Sequence, residues 1–411
     1  MHKAVIGLGY GDETKGANTS FLATQEDFSP LAVVRFNGGA QAAHNVVLED
    51  GTHHTFSQFG SGTLQGIPTI LSRFMLVNPV FLFNEAQALQ EKTGANPYYK
   101  LLVSENALVT TYLHVLMNRH REKERGQNRH GSVGLGIGET VLYSLNNPEA
   151  ALRVRDLRNW DITMTKLQAL AQHFESEGLP LDVYGENYHQ EQQSLLAYTA
   201  GLMTVVEDAE ISQILTEGDV LFEGAQGVLL DERYGFHPYT TWSSVTRKNI
   251  DILLEEADAG PVHVYGAIRS YHTRHGAGPM PSELEYTPEL AAAYLEPHNH
   301  KGEFQGGWRI GMLDLPLLNY ALEVCEVDEL SVSHLDYPQA KVVESYPEAI
   351  PVPIDRPTQI ELTEVVTRQT GKGNLLGVNS QEDLLTLIEE STGKKVAITS
   401  HGPTSADRHF R

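Results

Sequence analysis

Met1–Gly16 reads MHKAVIGLGYGDETKG, and the chemistry of this stretch decides the fold. The apolar run Ala4-Val5-Ile6 breaks into Gly7, Gly9, Gly11 and Gly16, with Asp12, Glu13 and Lys15 among them. A buried strand turning into a glycine-rich, lysine-bearing loop is how α/β proteins hold phosphate. Glycine has no Cβ to block the approach of backbone N–H groups to the anion, and the helix that follows adds its positive end. The stretch departs from GxxxxGK[ST]: counted from Gly9, Thr14 replaces the second glycine and Gly16 replaces the Ser/Thr. The hydroxyl that normally holds Mg²⁺ is therefore missing, while Asp12 supplies a carboxylate inside the loop that can bind a metal or take a proton. The bland alternative is a glycine-rich turn after an edge strand.

At 411 residues the chain is long enough for one large α/β domain or two ordinary ones. Its formal charge of −23 argues against general nucleic-acid binding but leaves room for local basic pockets. The single cysteine, Cys325, excludes an intramolecular disulfide and a multi-cysteine zinc site. No signal-peptide pattern precedes the first strand, and no apolar run is long enough to span a bilayer. The expectation is a soluble cytoplasmic enzyme with no membrane or nucleic-acid partner.

Outward from the loop, Leu31–Arg35 reads as a buried strand that runs into the small-residue turn Asn37–His44. Thr69–Leu71 with Phe74–Val77, Lys100–Val103, Val220–Phe222, Val262–Ile268, Glu329–Ser333 and Val396–Thr399 read as further strands. Helices are expected near Glu85–Gln90, at Thr110–Lys123, from Thr287, at Leu315–Cys325 and from Ser380 to Ser391. Arg125–Thr140 and 297–311 read as site loops, and 150–215 as mostly helical. Strands alternating with helices imply a single large domain, 1–411, with a mainly parallel central sheet flanked by helices.

Several strand ends carry motifs that, in order, resemble those of the adenylosuccinate synthetase family. They are GDExKG at Gly11–Gly16, GG…H at Gly38–His44, EGAQG at Glu223–Gly227 and PYxT at Pro238–Thr241. TRxGAGPxPxEL at Thr273–Leu284, RxGxLD at Arg309–Asp314, LD at Leu335–Asp336 and SxGP at Ser400–Pro403 complete the set. The resemblance implies that family's P-loop-NTPase-like fold, with a base-binding C-terminal part at about 329–411. It also implies a Mg²⁺-dependent ligase and a homodimer. A nucleoside triphosphate, GTP or alternatively ATP or dATP, phosphorylates the 6-oxygen of a purine nucleotide, and the L-aspartate amine displaces the phosphate.

The resemblance also assigns roles. A purine lactam oxygen is a poor nucleophile until N1 loses its proton, so a carboxylate is needed there, and Asp12 fits as base and metal ligand. His44 matches the catalytic histidine beside the transferring phosphoryl group. Glu13, Thr14, Lys15 and Gly16, with Ala43, His44 and Asn45, should cradle the triphosphate, the Ala43 carbonyl completing the metal site. Gln226 should hold the acceptor base, with Ser132, Val133, Thr241 and His275 around the acceptor nucleotide. Arg309 and Gly307 fall on the aspartate loop. His334, Asp336, Ser400, Gly402 and Pro403 fall on the donor base.

Departures from the family pattern cluster away from phosphoryl transfer. Ala40, Gln41 and Ala43 alter the GHNAGH turn, and Val133 replaces a phosphate-binding threonine. Neither Arg153 nor Arg155 clearly replaces the arginine normally supplied by the partner subunit. Gly307 replaces an arginine expected near aspartate and the ribose 2′-hydroxyl, His275 a valine by the ribose, and His334 a lysine over the donor base. These changes resemble a divergent branch, found in phages and archaeal-like relatives, that aminates dGMP toward diaminopurine DNA and would work in a host cytoplasm. The expectation leans to dGMP over IMP, although that branch's most divergent members lose the loop aspartate kept here as Asp12. A non-catalytic nucleotide-binding regulator and a signalling GTPase are the readings from other classes.

Overall fold

The computed structural model describes residues 1–126, 129, 131–285, 287–294, 306–337 and 340–411. Residues 127, 128 and 130 of the expected loop Arg125–Thr140, and the 297–305 part of the loop expected at 297–311, lie outside the described residues. Ten strands form one sheet: β1 (His2–Gly7), β2 (Val33–Arg35), β3 (Thr69–Leu71), β4 (Leu101–Ser104), β5 (Thr204–Val206), β6 (Leu221–Gly227), β7 (Val262–Arg269), β8 (Glu329–Ser333), β9 (Val396–Ser400) and β10 (Arg408–Phe410). Their order is β10-β9-β8-β7-β1-β6-β2-β3-β4-β5, and every pairing is parallel except that of β9 with β10.

The opening strand lies inside the sheet, between β6 and β7. Its alternate residues feed different cores: Ala4 and Ile6 join one cluster, while Val5 packs with Phe21, Leu22, Leu221, Tyr265 and Ile398 in another. Burial on both faces explains why Ala4-Val5-Ile6 reads as a continuous apolar run. Beside it, the ladder between β1 and β6 pairs Val5 with Glu223 and then Gly7 with Gly227. The extra residues of EGAQG bulge out there, and Gln226 is left with φ 59°.

A third cluster, on the β3–β4 side, packs helices Pro79–Thr93, Tyr112–Glu124, Trp160–Ser176 and Glu186–Ala200. One expectation is refined here and two are corrected. The region 150–215 is mostly helical, but its Thr204–Val206 run is the edge strand β5, too short to show a period. Phe74–Val77 does not extend β3; only Leu76–Val77 is strand, paired with Leu108–Val109 outside the main sheet. Arg125–Thr140 is not loop throughout, because helix Ile137–Asn146 begins inside it.

Helix Tyr112–Glu124 supplies Asn118, Arg121 and Glu122 to the cavity described below. Its start is fixed by the Thr111 backbone N–H, which donates to His114 Nδ1 at 3.0 Å. His114 is 2 % exposed, and burial pushes its pKa down to about 3. The folded-state value lies below the unfolded one, so the stabilisation is complete above pH 6.5 and is lost as pH falls through that window, at about 1.4 kcal/mol per unit. His114→Gln keeps an acceptor for Thr111 and removes the titration. Between pH 7.5 and 5.5, urea denaturation should show the wild type losing about 1 kcal/mol more than the variant. Equal losses would contradict this account of the cap.

Candidate active site

Six neighbouring parallel strands, β9-β8-β7-β1-β6-β2, deliver their carboxyl ends to one place, where ligands bind in open α/β sheets. The loops that follow line a cavity of about 1730 Å³, room for more than one small ligand. Asp12, Thr14, Lys15, Gly16, Ala43, His44, Asn45, Ser132, Val133, Gln226, Thr241, His275, His334, Asp336, Ser400, Gly402 and Pro403 all line it. Four non-glycine residues have positive φ among the described residues, and three of them, Thr14, Gln226 and His334, are in this wall. Backbone strain of that kind gathers where function over-determines the geometry.

The Asp12 carboxylate faces His275 Nε2 at 3.4 Å and the Thr273 hydroxyl at 3.3 Å. Burial would raise its pKa, but the His275 hydrogen bond and the charges of Arg269, His275 and Lys15 outweigh that and hold it well below the usual carboxylate range. Asp12 is thus ionised, and Arg269 Nε fixes its backbone through the Asp12 carbonyl. A hard carboxylate oxygen next to a phosphate loop suits Mg²⁺, which takes one or two protein oxygens and fills its shell with water and substrate phosphate. Among the described residues there is no group of three or more His, Cys, Asp or Glu side chains able to hold a metal. Glu13 is different: its carboxylate accepts the Gly11 N–H at 2.7 Å and sits 3.4 Å from Lys15 Nζ, beneath the loop and outside the cavity lining. It braces the loop from below.

Across the cavity, His44 Nδ1 meets Glu223 Oε1 at 2.6 Å. Glu223 has no solvent exposure and also accepts the Ser61 N–H at 2.8 Å and the Ser61 hydroxyl. Burial opposes its charge, yet Arg35 and His44 hold it down to about 2, while burial pushes His44 down to about 4. The stable arrangement is an ionised Glu223 receiving Nδ1–H from a neutral ring, which fixes the tautomer. Gly16 makes the close approach possible: a Cβ there would lie 2.6 Å from His44 Cβ and 2.8 Å from Ser61 Oγ.

The Gln226 amide lines the cavity with its nitrogen and oxygen buried and without a hydrogen-bond partner among the described residues. Gln41, quoted only as a departure, is in the same condition. Ser132 is held by Asn118 Nδ2 at 3.0 Å, and Val133 is 39 % exposed.

Gly307 and Arg309 are not brought into the lining. Arg309 turns instead to Glu283, by Nε and Nη2, and donates Nη1 to the carbonyls of Gly276 and Gly278. Trp308–Met312 pairs antiparallel with Tyr271–His275, and that register aims the guanidinium at Glu283, a long-range contact no local pattern announces. Sequence reasoning also missed Glu223 as the partner of His44, and Arg269 and Arg408 in the wall. Only the EGAQG spelling pointed to Glu223.

A sequence model of the family described as Adenylosuccinate synthetase matches residues 4–408. An adenylosuccinate synthetase of Thermoplasma acidophilum is 31 % identical over 339 residues, covering 81 % of this chain and 75 % of that protein. One from Clostridium novyi is 30 % identical over 427 residues, covering 97 % and 96 %. Among solved structures, a fully ligated adenylosuccinate synthetase of Plasmodium falciparum shares the fold at TM-score 0.83 and 19 % identity, covering 100 % of this chain and 99 % of that one. A cyanophage S-2L succinoaminodeoxyadenylate synthetase bound to dGMP and dATP aligns at TM-score 0.64 and 19 % identity, covering 100 % and 96 %.

Gly16→Ala should displace His44 and Ser61 and destabilise the fold by about 1–3 kcal/mol in urea denaturation. An unchanged midpoint would show that the loop does not depend on this contact.

Proposed function

The chain belongs to the adenylosuccinate synthetase family of C–N bond-forming ligases, and from that premise we propose the reaction its cavity carries out. It phosphorylates the 6-oxygen of a 6-oxopurine nucleoside monophosphate with a nucleoside triphosphate, and L-aspartate displaces the phosphate to give an N6-succinyl purine nucleotide. The observation that carries this reading is one cavity holding an ionised Asp12, the Glu223-backed His44 and the unpaired Gln226 amide.

Asp12 meets the N1–H edge of the acceptor, and Gln226 orients the base at its 6-position. Lys15 and the backbone around Thr14, Gly16 and Asn45 take the triphosphate, with Glu13 bracing the loop. His44, neutral without substrate, takes a proton at Nε2 when phosphate enters, and Glu223 supports that positive charge, which suits a donor to the oxygens around the transferring phosphorus. Bound Mg²⁺, held by Asp12 and the Ala43 carbonyl, would supply charge neutralisation on the phosphates. His334, Asp336, Ser400, Gly402 and Pro403 take the donor base, which Asp336 suits to guanine. Aspartate enters beside the Gly307–Arg309 strand, where Arg309 must exchange its Glu283 contact for the substrate carboxylate.

For the acceptor we favour dGMP, giving a 2-amino-deoxyadenylosuccinate. Gly307 carries no side chain that could reach toward a 2′-hydroxyl, and His275 occupies the acceptor side by binding Asp12. The second reading is IMP to adenylosuccinate, favoured by retention of Asp12 and by relatives named for that reaction. A cytoplasmic homodimer accompanies either reading, as does Val133 with Ser132 and Thr241 along the acceptor.

Purified protein with aspartate, Mg²⁺ and GTP or ATP should be offered IMP, GMP and dGMP in parallel, with products identified by mass. A succinylated product from dGMP well above that from IMP supports the first reading, and the reverse supports the second. No product from any acceptor would sink the ligase reading for this chain. Asp12→Asn should cut turnover by about 10³-fold while nucleotide binding stays measurable.

A further inference from the structure

Arg408 opens β10 opposite Ser400 and lines the cavity, yet no role above uses it. It is 4 % exposed. Its Nε donates to Asn18 Oδ1 at 3.3 Å, and its Nη1 to the carbonyls of Pro403 at 3.3 Å and Thr404 at 2.8 Å. Asn18 stands one helical turn beyond the phosphate loop, its N–H donating to the Thr14 carbonyl. The guanidinium therefore bridges the helix that follows the loop and the Gly402–Thr404 strap over the donor-base end.

Among the described residues Arg408 forms no ion pair. Asp407, the acid nearest in charge effect, turns its carboxylate to the Thr404 N–H and hydroxyl instead. Nη2 makes no hydrogen bond among the described residues. Burial pushes the guanidinium down only to about 10, so it remains a cation at neutral pH. A buried cation satisfied only by neutral carbonyls is poorly compensated until an anion arrives. The carbonyl bonds also fix its planar fork, so little side-chain freedom remains to be lost on binding.

We propose that Arg408 binds the phosphate chain of the donor nucleotide through Nη2, tying the triphosphate to the strap that covers the base. This rests on the reading of the cavity as a nucleoside-triphosphate site and is independent of the acceptor's identity.

The test is calorimetric titration of the whole protein and its Arg408→Met and Arg408→Lys variants with GTP, GDP and guanosine, and with the adenine series in parallel. Arg408→Met should weaken triphosphate and diphosphate binding by roughly 10- to 100-fold while leaving nucleoside binding within about twofold. Arg408→Lys should recover part of the loss. The donor KM should rise by the same factor as the dissociation constant, with the acceptor KM unchanged. Thermal midpoints of the unliganded variants establish that they fold. Equal loss for guanosine and GTP would reduce Arg408 to a structural brace, and unchanged GTP affinity would remove it from the site; either overturns the proposal. A wild-type protein that binds neither triphosphate would instead sink the donor-site reading, and the proposal with it.

Discussion

A single ionised and fully buried carboxylate, that of Glu223, holds the floor of the cavity together. It binds His44 from the turn after β2 and both the N–H and hydroxyl of Ser61, with Arg35 of β2 supplying charge behind it. Removing a partner would leave this buried charge less well compensated, which is more costly than losing an exposed ion pair. Two loops remote in sequence are therefore locked to one strand end. The Gly16 contact with His44 and Ser61 then fixes where the phosphate loop can lie.

The sheet order makes this arrangement possible. With β1 between β6 and β7, the loop carrying Asp12 and Lys15 lies beside both EGAQG and the Tyr271–His275 strand. Asp12 is consequently reached by Arg269, Thr273 and His275 from one neighbour, while Gln226 approaches from the other through its bulge. The two sides differ in electrostatics. Around Asp12, charge outweighs burial and keeps a carboxylate ionised; around His44, burial keeps the ring neutral.

Much of this was legible in the chain because the information is local. A buried strand followed by glycine and lysine marks the loop that enters the cavity, and recurring small-residue turns at strand ends mark its rim. Long-range pairing was not legible. Thr204–Val206 has only three residues to declare itself a strand. Arg309 looks like a ligand-binding fork in the sequence, yet the Tyr271–His275 register turns it toward Glu283. Arg408 lies outside every motif and Gln41 is a departure within one, and only their unpaired polar atoms within the cavity wall distinguish them. Glu13 sits in the signature loop but faces its underside, since one residue's rotation along the backbone separates it from Asp12.

The central claim is that this cavity moves a phosphoryl group onto the 6-oxygen of a purine before aspartate attacks. The most direct measurement uses acceptor nucleotide labelled with ¹⁸O at the 6-position, dGMP and IMP in separate reactions, with aspartate and the nucleoside triphosphate. The inorganic phosphate released is analysed by mass. The account predicts one ¹⁸O atom in the phosphate for each succinylated product formed. Unlabelled phosphate alongside product would mean that aspartate displaces the 6-oxygen without phosphoryl transfer to it, and would contradict the account.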